Sequence, residues 1–266
     1  MSAGPDPAPT DAQVVTTDAG EENAQPETVM TIVEHLSELR RRLFISIAVV
    51  IATSVLGFIA APRVIEILKA PVTGPLVFTS PGAAFFLQIK LAVMIGIALA
   101  SPVILYELWA FISPGLTRRE RSAARPWIPL AVLFLVLGVA VAYLILPYTV
   151  GFLLSFQIPG VLEPLITAEA YFGFVTTMFL AFGLVMQFPI VIVLLSKVGI
   201  ISVERLRHAR RYVFVGIFIF AVVVTPGGDP ISPIIMAAVM YPLYELTIFL
   251  VGRSDRRRMV EEAEPA

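Results

Sequence analysis

Of 266 residues, 58 % are hydrophobic and only 15 % are charged, against roughly 45–50 % and 25 % in soluble domains, and a water-soluble domain of this length has no interior large enough for that surplus. With no cysteine there is no disulfide, thiol chemistry or thiolate-bound metal to expect, and two histidines far apart in the chain, His35 and His208, do not suggest a metal cluster. The net charge of −1 gives no indication of a nucleic-acid partner, so the composition describes an integral membrane protein.

Residues 1–29 form a zone of their own, with Asp6, Asp11, Asp18, Glu21, Glu22 and Glu27 and no Lys or Arg, which reads as a disordered acidic tail. A secretory leader needs a basic start and an apolar core, so the first apolar segment is expected to be a retained span. Thr31-Ile32-Val33-Glu34 has the spacing of a capping box, which starts a helix at this point. That helix carries His35-Leu36-Ser37-Glu38-Leu39-Arg40-Arg41-Arg42 to the edge of Leu43–Ala61, a 19-residue run without an ionisable group, enough at about 1.5 Å per residue to cross most of a bilayer. Glu38 and Arg42 stand four apart, the spacing of an ion pair on a helix surface.

Further apolar runs follow at Leu91–Tyr106, Trp127–Val150, Tyr171–Ser196, Tyr212–Val224 and Ile231–Val251. They are too long for strands and lack the alternation of a membrane barrel, so the expected fold is all-α, with six membrane helices over residues 30–251 and a charged tail over 252–266. Six spans put both termini on one side. Of the 19 Lys and Arg, all but Arg63, Lys69 and Lys90 fall on that side, which makes it cytoplasmic by the positive-inside rule. A reporter active only outside the membrane should therefore work after Pro159 and stay silent after Val251; the opposite pattern contradicts this topology.

The fifth run has only 13 residues, about 20 Å of helix against about 30 Å of hydrocarbon. Between the first two runs, Ala61–Gln88 holds four prolines and an amphipathic piece, Arg63–Lys69, expected along the membrane surface. Pro147–Ala170 is again punctuated by proline. No inverted repeat of the transporter kind is evident.

The interiors of the runs offer little chemistry. Glu245 lies towards the cytoplasmic end of the sixth, and Gln187 is polar but cannot titrate. No nucleophile–base pair, His-Glu-x-x-His motif or phosphate-cradling glycine loop occurs, so catalysis is not expected. A buried amide in the fourth run needs a hydrogen-bond partner, either a helix of another subunit or a backbone carbonyl of this chain. A second cytoplasmic carboxylate, Glu120, closes Phe111-Ile112-Ser113-Pro114-Gly115-Leu116-Thr117-Arg118-Arg119-Glu120, where an acid offsetting neighbouring arginines is the plain alternative.

His35 to Arg40, Ser101 to Phe111 and Pro114 to Glu120 closely resemble TatC, the core membrane subunit of the twin-arginine protein translocase. So do Phe182-Gly183 with Phe188-Pro189, Thr225-Pro226 before Asp229, and Met240-Tyr241 with Glu245. The resemblance covers about Thr31 to Val251 and implies a receptor, in the cytoplasmic membrane, for folded proteins whose signal peptides carry two consecutive arginines. It implies that Glu38 and Glu120 bind the arginine pair, with Leu39, Arg40, Phe111, Pro114 and Leu116 shaping the site. It further implies that Gln187, Thr225 and Pro226 meet single-span subunits of TatA and TatB type, that several copies assemble, that export draws on the proton gradient, and that no cofactor or metal takes part. Gln187 stands where Glu is frequent, and Glu107 where Gln is common; Gly227-Gly228 lengthens an outward loop. Neither Glu107 nor the extra glycine is expected to touch the peptide site. Two other classes compete: a solute or ion transporter, which would need mid-span ionisable groups or broken helices beside a cavity, and a membrane enzyme, which would need a reactive constellation.

Overall fold

The computed structural model describes residues 32–72, 74–117, 121–122, 127–158, 165–197, 201–225 and 228–263. The acidic tail, Glu120 and Pro226 lie outside the described residues. Helix α1 is Ile32–Lys69 and α2 is Ala83–Ile112, closed by a 3-10 turn over Ser113–Gly115. Then come α3, Trp127–Leu154; α4, Ala168–Val185; α5, Phe188–Lys197; α6, Val203–His208; α7, Arg210–Val224; and α8, Ile231–Ala263. Among the described residues the only β pairing is an isolated bridge between Val77 and Thr167, which ties the loop between α1 and α2 to the start of α4.

The all-α expectation holds, with adjustments. Among the described residues, five stretches are long and apolar enough to cross a membrane: Val33–Lys69, Ala83–Gly115, Trp127–Leu154, Ala168–Ser196 and Ile231–Phe249. The run expected as the fifth span forms α7, but its 15 residues reach only about 22 Å. Arg63–Lys69 is not a separate surface piece; α1 continues through Pro62 as one helix of 38 residues, about 57 Å long. The fourth run divides at Met186 and Gln187 into α4 and α5, because Pro189 has no N–H to offer the carbonyl of Val185 and its ring crowds that carbonyl. The sixth run does not stop at Val251. Its helix takes in most of the stretch expected as a charged tail.

Helix α4 is the centre of the molecule. Half of its most apolar stretch is buried, against 6 % for α1. Phe172, Val175, Met178 and Phe182 of α4 are fully enclosed, together with Leu91, Leu146, Met236 and Tyr244 from α2, α3 and α8. Tyr171 donates to the carbonyl of Leu68 at 2.5 Å and Tyr244 to that of Leu206 at 2.7 Å, so the phenols fasten the end of α1 and the short α6 to this core. Before α8, Asp229 accepts from the Ser232 amide at 2.7 Å, a side-chain cap on the first turn of the helix.

Helix α1 leans on α2 above all. Their backbones meet at two glycines: a Cβ on Gly57 would run into the carbonyl of Ala92, and one on Gly96 into Ser54. Thr53 donates to the Gly96 carbonyl at 2.8 Å across the same crossing. This contact fixes the register of the two helices, and with it what faces what at the start of α1 and the end of α2.

Candidate functional site

His35, Glu38 and Arg42 lie on one face of the first turns of α1, three and four residues apart. The last turns of α2 bring Glu107 and Phe111 against them. The His35 ring stacks on Phe111 with centroids 4.3 Å apart and planes 16° from parallel. Below this lid Arg42 bridges the two helices. Its Nε and Nη2 donate to Oε1 of Glu38 at 3.0 and 2.5 Å, and its Nη1 donates to Oε2 of Glu107 at 2.9 Å. The side chains of Arg42, Glu38 and Glu107 are 23 %, 19 % and 12 % exposed, so water screens these charges far less than on an open surface.

Two consequences follow from that arrangement. Two carboxylates around one guanidinium leave a net charge of −1. In addition, Oε2 of Glu38 is buried and has no hydrogen-bond partner, a state that is unfavourable by about 1–3 kcal/mol for a buried polar atom and by more for a charged one. An additional cationic donor would complement both the excess negative charge and this oxygen.

The residues expected at the site divide clearly. Glu38 and Phe111 come together as described. Leu116 is buried at the turn after α2, where its amide donates to the Ser113 carbonyl at 3.2 Å, and Pro114 is half-buried in that turn. Arg121 donates twice to the same carbonyl, at 3.1 and 2.7 Å, so the described part of the loop is folded back under the end of α2. Leu39 and Arg40 are exposed on α1, outside the ion-pair cluster. Glu107 is the residue that sequence reasoning missed. It was expected to leave the site untouched, yet it completes the cage around Arg42. The signal was available: an acid inside an otherwise apolar helix end requires a cation from a neighbouring helix.

Gln187, at the break between α4 and α5, donates from Nε2 to the Ala131 carbonyl of α3 at 3.1 Å. The internal bond to a backbone carbonyl therefore forms, while its Oε1 is buried and unpartnered. Beside it α2, α3 and α5 enclose an apolar hollow lined by Trp109, Trp127, Ala131, Ile190 and Val193. Thr225 is buried at the end of α7 and its hydroxyl donates to the Ala221 carbonyl at 2.8 Å. Glu245 accepts from Arg210 at 2.8 Å and from the Tyr241 hydroxyl at 3.3 Å, which couples the start of α7 to the middle of α8.

A family profile described as Sec-independent protein translocase protein (TatC) matches residues 34–238, from the first turn of α1 well into α8. The chain belongs to the TatC family. Among curated relatives, the TatC of Carboxydothermus hydrogenoformans is 37 % identical over 225 residues, covering 83 % of this chain and 92 % of the relative. The TatC of Aquifex aeolicus is 36 % identical over 236 residues, covering 86 % and 98 %. A solved structure titled as the twin-arginine translocase receptor TatC in DDM superposes with a TM-score of 0.70 at 37 % identity, over 82 % of this chain and 99 % of that one. Like its TatC relatives, this chain is a multi-pass membrane protein of protein transport, and the relatives are named as translocase proteins, not as enzymes.

Proposed function

We propose that this chain is the signal-peptide receptor and membrane scaffold of a twin-arginine translocase. It binds the paired arginines of folded cargo at Glu38 and Glu120, acts without catalysis, and gathers TatA-type and TatB-type subunits and further copies of itself for export driven by the proton gradient. The observation that carries the reading is the unpartnered oxygen of Glu38 in a cluster of net charge −1. A guanidinium supplies planar, charge-assisted donors that match a carboxylate better than a lysine's point charge does. Glu120, four residues after Leu116 in the sequence, is the proposed acceptor for the second arginine. Leu39, exposed on α1, would meet the apolar part of the peptide. Both termini and the cluster face the cytoplasm in this reading, and α7 completes six spans, with lipid or partners covering its short length.

Gln187 is the proposed contact for a single-span partner. One N–H of its amide already bonds Ala131 while Oε1 is unpartnered, so the partner supplies a donor to Oε1, at a depth where such bonds select a docking position. Thr225 and Pro226 belong to the same proposed contact through the end of α7, although the Thr225 hydroxyl is occupied within its own helix.

The test is retention of a twin-arginine signal peptide by the detergent-solubilised chain, with a peptide carrying two lysines as control. The proposal expects clear preference for arginine; equal retention of both peptides would overturn it.

A further inference from the structure

The ion-pair cluster has one component that binding of a peptide arginine by Glu38 does not itself require. Arg42 is close enough to neutralise Glu38 completely, since two of its three hydrogen bonds go to a single oxygen of that residue. What prevents full neutralisation is Glu107, which holds Nη1 of the same guanidinium from the opposite helix. Without Glu107 the pair Glu38–Arg42 would be neutral, and Arg42 would be free to turn and use both oxygens of Glu38. We propose that Glu107 is a positioning and affinity-determining residue of the arginine-binding site. It anchors Arg42 on α2, keeps Oε2 of Glu38 open and adds the unit of negative charge that an incoming guanidinium meets. This rests on the receptor reading above and deepens it. The position is 65 residues from Arg42 in sequence and 12 % exposed, so its charge acts at short range and with little screening. The cluster with glutamate is one unit more negative than it would be with glutamine. His35 stacks on Phe111 above it, Arg40 and Arg41 are exposed elsewhere on α1, and among the described residues Arg42 is the ion-pair partner of Glu107.

The experiment titrates a fluorescent twin-arginine peptide against the full-length chain in detergent at several salt concentrations. Four forms are compared: wild type, Glu107→Gln, Glu107→Asp, and Glu107→Gln combined with Arg42→Gln. Glu107→Gln keeps size and hydrogen bonding but removes the charge, and should weaken binding roughly tenfold and flatten its salt dependence. Removing Arg42 in the same chain restores the −1 balance on Glu38 and should recover most of the lost affinity, which a purely structural ion pair would not do. Glu107→Asp keeps the charge and should stay close to wild type, which also provides a reading if the glutamine variant is unstable. Glu107→Gln binding within about twofold of wild type, a double variant no better than the single, or an aspartate variant as weak as the glutamine one would each overturn the inference. The receptor reading is judged separately on the same plate: wild type without arginine preference sinks that reading, whereas wild-type preference with an indifferent Glu107→Gln sinks only this one.

Discussion

Replacing Glu38 by alanine should lower the affinity for a twin-arginine peptide by roughly 10- to 150-fold, the loss of about 1.5–3 kcal/mol expected when one partner of a charge-assisted contact is removed. The structure sharpens the reason. Glu38→Ala deletes the unpartnered oxygen and leaves Arg42 facing Glu107 alone, so the cluster falls from −1 to neutral as well as losing its acceptor. Glu120→Ala should weaken binding in the same range through the second arginine. Glu262→Ala, near the far end of α8, should leave binding unchanged. Peptide titration of the three variants checks this. Full affinity in both Glu38→Ala and Glu120→Ala would return Glu38 to an ordinary helix ion pair and Glu120 to a loop acid among arginines.

The second large effect is expected far from any charge. Gly96→Val places a branched side chain against the Ser54 backbone, whose Cα and N would lie 2.8 Å from the new Cβ. Backbone cannot rotate away as a side chain can, so α1 must shift off α2, and overpacking of this kind costs about 1–3 kcal/mol. Because Glu38 and Arg42 stand on α1 and Glu107 on α2, the shift should also open the ion-pair cluster, and with it peptide binding, roughly 16–24 Å away along the two helices at about 1.5 Å per residue. Gly216→Ala is the matched control: its Cβ meets nothing within 4 Å among the described residues, so stability should be unchanged or slightly improved. Thermal unfolding in detergent, followed by peptide titration of the folded fraction, measures both effects. A Gly96→Val chain as stable as wild type would show that the close crossing does not set the register.

That crossing also explains how far the sequence could be read. Apolar run length reveals each long helix because it is a local property. The pairing of Arg42 with Glu107 is not local: it depends on which residue of α1 lies opposite which residue of α2, and Gly57 and Gly96 settle that only once the helices are in contact. The interruption at Gln187 was legible in Pro189, two residues on, but a continuous apolar run obscured it. Beyond Val251 polarity suggested a tail, yet Arg, Met, Glu and Ala are strong helix formers, and propensity carried α8 on to Ala263 once packing had started it. The candidate site itself was half visible. Glu38 and Phe111 were found from the family motifs, while Glu107, the acid that sets the charge balance, sat within one of those motifs and was passed over.

The central claim is that the cluster at the start of α1 receives the arginine pair. The most direct measurement is photo-crosslinking in native membranes, using a signal peptide with a photoreactive residue immediately before its two arginines and mapping the adducts by mass spectrometry. The account predicts adducts within residues 35–42 of α1 and 107–121 at the end of α2 and its following loop, lost with a two-lysine peptide. Adducts concentrated elsewhere, at the ends of α7 and α8 for example, or unchanged by the lysine exchange, would contradict it.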